Sequence, residues 1–153
     1  MAELKEGSKA PSFEGIDQEG NTIKLEDFKG KKLVLYFYPK DNTPGCTKEA
    51  CNLRDNHTDL INKGFAVVGV SPDSERSHQK FSEKFNLPFP LIADTEKKIL
   101  SDYGAWGEKN MYGKLFMGVK RITFLIDEEG IIEKIIKKVD TKNHTEQIFK
   151  FYE

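Results

Sequence analysis

Cys46 and Cys51, five residues apart, are the side chains in this sequence best suited to covalent chemistry. Cys46 ends the run Tyr38-Pro39-Lys40-Asp41-Asn42-Thr43-Pro44-Gly45-Cys46. An apolar strand-like segment, Leu33–Tyr38, precedes the Pro/Gly-rich loop, and a helix-like segment, Thr47–Arg54, follows it. A cysteine at such a strand-to-helix junction meets unpaired backbone N–H groups and the positive end of a helix dipole. Both favour the thiolate, the nucleophilic form of the side chain. The position therefore points to sulfur redox chemistry, against the competing reading of a small buried cysteine with no reactivity.

Other residues fit around that sulfur. The Thr43 hydroxyl can cap the helix start, or donate to a thiolate or to a bound oxygen substrate. Pro39 stops the strand because it has no N–H, and it can also shield the sulfur from water. Pro44 suits a first-turn position. Arg121 lies in Val119-Lys120-Arg121-Ile122-Thr123-Phe124-Leu125-Ile126, where strand alternation places Val119, Arg121, Thr123 and Leu125 on one face. A guanidinium among apolar neighbours needs a partner. That partner is either a structural carboxylate or the Cys46 thiolate together with a substrate oxygen.

Cys51 is a candidate resolving thiol or a small core residue. Five residues of ideal helix separate two Cα atoms by roughly 8–9 Å, and a disulfide requires less than about 7 Å. The two cysteines can pair only if the first turns of the helix unwind. The three histidines, His57, His78 and His144, are expected at surface or cap positions. His57 would lie ~16 Å along a straight helix from Cys46, so a cysteine–histidine protease pair is missing, as is zinc-ligand spacing.

The elements that must position these residues read as follows. Phe13–Asp17 and Thr22–Leu25 form an N-terminal hairpin. Leu33–Tyr38 and Phe65–Val70 are strands buried on both faces. Cys46–Lys63 is a helix ended by Gly64, and Glu75–Phe85 is a second helix. Leu91–Asp94 is a short strand and Glu96–Tyr103 a short helix. Residues 104–118 read as a long loop. Val119–Ile126 and Ile131–Val139 form a hairpin, and Asn143–Tyr152 a terminal helix. The order predicts one α/β domain spanning residues 1–153, with a central mixed β-sheet flanked by helices in a thioredoxin-like arrangement.

Composition narrows the function classes. The 153 residues carry 24 Lys+Arg against 25 Asp+Glu, a net charge of -1, which gives no electrostatic footprint for nucleic acid. No apolar run approaches the ~18 residues of a membrane span, and the N-terminus lacks a signal-peptide core. A cytoplasmic protein with no membrane association is expected. Two cysteines are too few for a disulfide scaffold.

The pattern Pro39-x-x-x-Thr43-x-x-Cys46 with the distant Arg121 resembles the active site of peroxiredoxins. Gly45-Cys46-Thr47-Lys48-Glu49-Ala50-Cys51, Tyr103–Lys109, Met111–Lys114 and Arg121–Asp127 resemble its Q-type subfamily, also called bacterioferritin comigratory protein. The likeness runs from about Gly7 onward. It implies a thioredoxin-like fold and reduction of hydroperoxides without metal or bound cofactor. Cys46 would be the peroxidatic and Cys51 the resolving cysteine, with Thr43, Pro39 and Arg121 forming the pocket and Glu49 helping to orient Arg121. It further implies an intramolecular Cys46–Cys51 disulfide, recycling by thioredoxin or a similar dithiol, and a monomer. Two other readings stand beside it. A general thiol–disulfide oxidoreductase would carry C-x-x-C, which is absent here. A non-catalytic holdase would use exposed apolar segments such as Leu115-Phe116-Met117.

Overall fold

A computed structural model describes residues 4–153. Its centre is a five-stranded mixed sheet, formed by β3 (Lys32–Phe37), β4 (Phe65–Ser71), β5 (Leu91–Ala93), β8 (Ile122–Ile126) and β9 (Ile132–Ile136), in the order β5-β4-β3-β8-β9. β3 runs parallel to β4 and β4 to β5, while β8 is antiparallel to both β3 and β9. Two separate hairpins, β1 (Glu14–Ile16) with β2 (Thr22–Lys24) and β6 (Trp106–Met111) with β7 (Lys114–Val119), complete the strands.

The unbroken apolar runs of β3 and β4 fill both faces of this sheet, as expected for strands covered on each side. Leu33, Leu35 and Phe37 enter one cluster with Phe124, Ile126, Ile99 and Tyr103. Val34, Tyr36 and Tyr38 enter the other with Cys46, Leu53, Phe81, Leu125 and Ile148. The second cluster takes its helical residues from α1 (Pro44–Asp55), α2 (His57–Asn62), α3 (Glu75–Phe85) and α5 (His144–Phe151). The first is closed by α4 (Lys98–Asp102) and the N-terminal segment. No helix among the described residues is long and apolar enough to cross a membrane.

Three expectations change in detail. The helix read as Cys46–Lys63 begins at Pro44 and breaks at Asn56, leaving two helices. Residues 104–118 are not a loop but most of a hairpin, turned by Tyr112 and Gly113 at φ of 53° and 79°. Two consecutive positive φ values are the signature of a tight I′-type turn, and the short Tyr-Gly pair was its signal. The strand read as Val119–Ile126 is interrupted at Lys120-Arg121: Val119 ends β7 and packs in the first cluster, away from Thr123 and Leu125. The apolar residues Leu115, Phe116 and Met117 are exposed on β7, at 65%, 41% and 55%.

Gly69 in β4 shows how tightly the site side is packed. A Cβ built there would lie 2.8 Å from Tyr36 Cζ and 2.9 Å from Leu91 Cδ2. Because one contact is a ring wedged in the core, Gly69→Ala is expected to destabilise the protein by about 1–3 kcal/mol. A urea-denaturation midpoint equal to that of the parent protein would refute this packing.

Candidate active site

β3 delivers the chain to the site. After Phe37, residues 38–43 leave the sheet, and α1 starts at Pro44 with Thr43 in the N-cap position, φ -101° and ψ 156°. Pro44 occupies the first turn, where its missing N–H costs nothing. Cys46 sits in that first turn, 1% exposed. Its position leaves its amide without an acceptor inside the helix. The Thr43 hydroxyl does not cap the helix; it donates to the Lys40 carbonyl at 2.9 Å and so cross-braces the loop. Pro39, half-buried, follows directly on Tyr38 in the same loop.

Arg121 reaches this helix from the segment just before β8. Its Nη2 donates to Cys46 Sγ at 3.3 Å and its Nη1 to Glu49 Oε1 at 2.7 Å. Alternation from Leu125 through Thr123 carries Arg121 to the α1 side of the sheet, so the face predicted for these three residues holds, though not for Val119. Gly45 lets the guanidinium settle against the helix: a Cβ there would stand 3.1 Å from Nη2. Arg121 thereby sets a positive charge directly beside the sulfur. Glu49 is fully buried, and burial pushes its carboxyl up to about 7 although Arg121 pulls the other way. Burial also works against the charge on Arg121, but Glu49 and Cys46 more than offset it and leave the guanidinium above its ordinary value.

The histidines depart from expectation. His57 is half-buried, but His78 and His144 are fully buried rather than superficial. The reason is that each finds polar partners inside. His144 Nε2 lies 2.8 Å from Thr123 Oγ1 and its Nδ1 2.9 Å from Gln147 Oε1. Burial pushes this imidazole down to about 4. His78 Nδ1 is 2.7 Å from Asp41 Oδ2, and Asp41 also accepts from Tyr38 and Ser77. That second network ties the Cys46 loop to α3. Asp41, Asp73 and His78 group their ligand atoms within 4.8 Å of one another. Asp73 already accepts from Ser71 and the Asp41 amide, so hydrogen bonds within the protein account for the cluster. Nothing in the local sequence marks Thr123, His144 or Gln147 as a network beside Glu49, because they belong to elements far along the chain.

Cys51 lies further along the same intact α1, half-buried, and both thiols are free. Burial pushes the Cys51 thiol up, with Asp55 adding to this and Arg54 opposing it.

Folding raises the Glu49 carboxyl from its ordinary 4.5 to about 7, so the native state holds that proton more tightly. The resulting stability is full below pH ~4.5 and is lost as pH rises through ~7. Glu49→Gln should flatten this decline, read from urea midpoints at about pH 5 and about pH 8. Parallel pH profiles in the two proteins would count against a buried, proton-retaining Glu49.

Comparison with known proteins agrees with this geometry. The sequence model of the AhpC/TSA family matches residues 7–135. Peroxiredoxin Bcp of Bacillus subtilis is 51% identical over 138 residues, 90% of this chain and 88% of that protein. Peroxiredoxin Bcp of Escherichia coli K12 is 42% identical over 151 residues, 99% of this chain and 97% of that one. A solved structure of the Xanthomonas campestris bacterioferritin comigratory protein, described for its alkyl peroxide reduction activity, superposes with a TM-score of 0.85 at 34% identity. It covers 91% of this chain and is itself covered over 88%.

Proposed function

This chain belongs to the AhpC/TSA family as a peroxiredoxin of the Q/Bcp kind, and from that premise we propose the route by which it reduces hydroperoxides. The observation that carries the reading is the Arg121 guanidinium, shared between Cys46 Sγ and Glu49. It stands where negative charge must move during the reaction.

The Cys46 thiolate attacks one peroxide oxygen. The O–O bond breaks, the sulfur is oxidised by two electrons to a sulfenic acid, and the departing oxygen leaves as an alkoxide or hydroxide that takes up a proton. Arg121, the Cys46 amide and the Thr43 hydroxyl, turned from Lys40, stabilise charge along the breaking bond. Pro39 keeps bulk water from the sulfur. Alkyl hydroperoxides are within the substrate range, in line with the activity for which the Xanthomonas relative is described.

Resolution then follows from helix geometry. With α1 intact the two Cα atoms stand roughly 8–9 Å apart, too far for a disulfide. The first turns unwind, Cys51 attacks the sulfenic sulfur, and water leaves as an intramolecular disulfide forms. Unwinding also exposes the Cys51 thiol, relieving the burial that keeps it protonated. A dithiol protein such as thioredoxin restores both thiols by exchange. An internal disulfide needs no second subunit, so the working form is a monomer, placed in the cytoplasm where dithiol reductants are abundant.

Mixing reduced protein with hydroperoxide should remove both thiols without forming a covalent dimer, as read by intact mass and thiol titration. Cys51→Ser should stop at the sulfenic acid or an intermolecular disulfide. Turnover surviving in Cys46→Ser would refute the mechanism. Arg121→Lys keeps the charge but cannot bridge both groups, so peroxide reduction should slow by about 10²-fold. An unchanged stopped-flow rate would remove Arg121 from the charge-stabilising role.

A further inference from the structure

Glu49 Oε2 and His144 Nε2 face each other at 3.5 Å, both residues fully buried. The orientation of Gln147 is fixed on both sides: its Nε2 donates to the Lys138 carbonyl at 2.8 Å, and its Oε1 accepts from the Asp140 amide at 3.0 Å. Oε1 is therefore also an acceptor towards His144 Nδ1, so the hydrogen of the neutral ring is on Nδ1. His144 Nε2 then offers a lone pair, which takes the Thr123 hydroxyl. Glu49 Oε2 stands 3.5 Å from that lone pair, fully buried and with no hydrogen-bond partner. As a carboxylate it would present a second lone pair to the first, in a fully buried place. As a carboxylic acid it would turn its proton towards Nε2 and share that lone pair with the Thr123 hydroxyl in a three-centre bond.

Charge counting leads to the same conclusion. Arg121 brings one positive charge to two acids, Cys46 and Glu49, both of α1. The neighbouring groups do not alter that balance: Tyr36 on β3 is held well above its ordinary value, chiefly by burial, and so stays a neutral phenol. His144 on α5 is uncharged, although Asp140 before that helix favours its cation. With both acids ionised, the buried site would carry an uncompensated negative charge, which burial strongly disfavours.

We infer that Cys46 and Glu49 hold one proton between them: Glu49 keeps it on Oε2, against His144 Nε2, while the sulfur is anionic, and gives it up when oxidation makes the sulfur neutral. The resting half of this stands on geometry, and the oxidation half rests on the peroxidase reading above. The step balances. Thiolate plus hydroperoxide gives sulfenic acid plus alkoxide, and the alkoxide needs one proton to become alcohol. Glu49 supplies that proton to the overall balance and remains as a carboxylate paired with Arg121. His144 is a positioning residue, acting on the sulfur only through Glu49 and Arg121. The upward push on Glu49 and the downward push on His144 agree with the proton residing on the oxygen.

Two measurements test this, both in a Cys51→Ser background so that oxidation stops at the first step. Infrared difference spectra between reduced protein and protein blocked at Cys46 by iodoacetamide need no peroxide. The reduced form should show the carbonyl stretch of a protonated carboxylic acid that is lost on blocking and is absent in Glu49→Gln. Proton uptake on adding hydrogen peroxide in weakly buffered indicator dye should be less than half a proton per sulfur oxidised, rising to a full proton in Glu49→Gln. Absence of the acid carbonyl band, or equal proton uptake by the two proteins, overturns the inference. If peroxide fails to oxidise Cys46 at all, the peroxidase reading falls, while the infrared result still decides where the proton lies.

Discussion

The contact on which this site depends is one guanidinium divided between a sulfur and a buried carboxyl group. Arg121 is charged at any accessible pH, so its position fixes a positive charge beside Cys46. Glu49 holds that position at 2.7 Å while the sulfur takes the other nitrogen at 3.3 Å. The carboxyl therefore does two opposing things. It orients the cation, and when ionised it competes for it. Burial resolves the conflict by making ionisation of Glu49 costly, which leaves the cation available to the sulfur.

The fold supplies what this arrangement needs. β3 lies between β4 and β8, so the chain leaving its end brings Cys46 over the middle of the sheet, within reach of Arg121 before β8. A glycine before the cysteine keeps the helix start open to the guanidinium. On the far side, the Asp41 carboxylate gathers Tyr38, Ser77 and His78, anchoring the loop that carries Thr43. Two buried polar networks thus brace the catalytic segment from either side, one through α3 and one through α5. Buried networks of this kind specify a single arrangement because partial satisfaction is expensive.

On the route proposed above, placing both cysteines on one helix separates two steps. While α1 is formed, Cys46 is activated and Cys51 is out of reach. Once α1 opens, the activating contacts are lost and the second sulfur can approach. On the proposed route, peroxide reduction and disulfide formation thus require different conformations of the same twelve-residue helix.

Most of the architecture was legible from local pattern. The apolar runs of β3 and β4 and the hairpin joining β8 to β9 are properties of short windows of chain, governed by periodicity and turn chemistry. The strand-to-helix cysteine, with Thr43 and Pro39 before it, was likewise readable because these residues are neighbours in sequence. The 104–118 hairpin was obscured because most of β7 is exposed, leaving no alternation between a wet and a dry face. What tertiary structure alone decided is the company Arg121 keeps. Glu49 lies 72 positions away from it, and Thr123 and His144 are 21 apart, each brought together only by sheet order and helix packing. A buried proton belongs to such a meeting of distant groups, since desolvation and the distance between charges are properties of three-dimensional packing and have no counterpart along a chain.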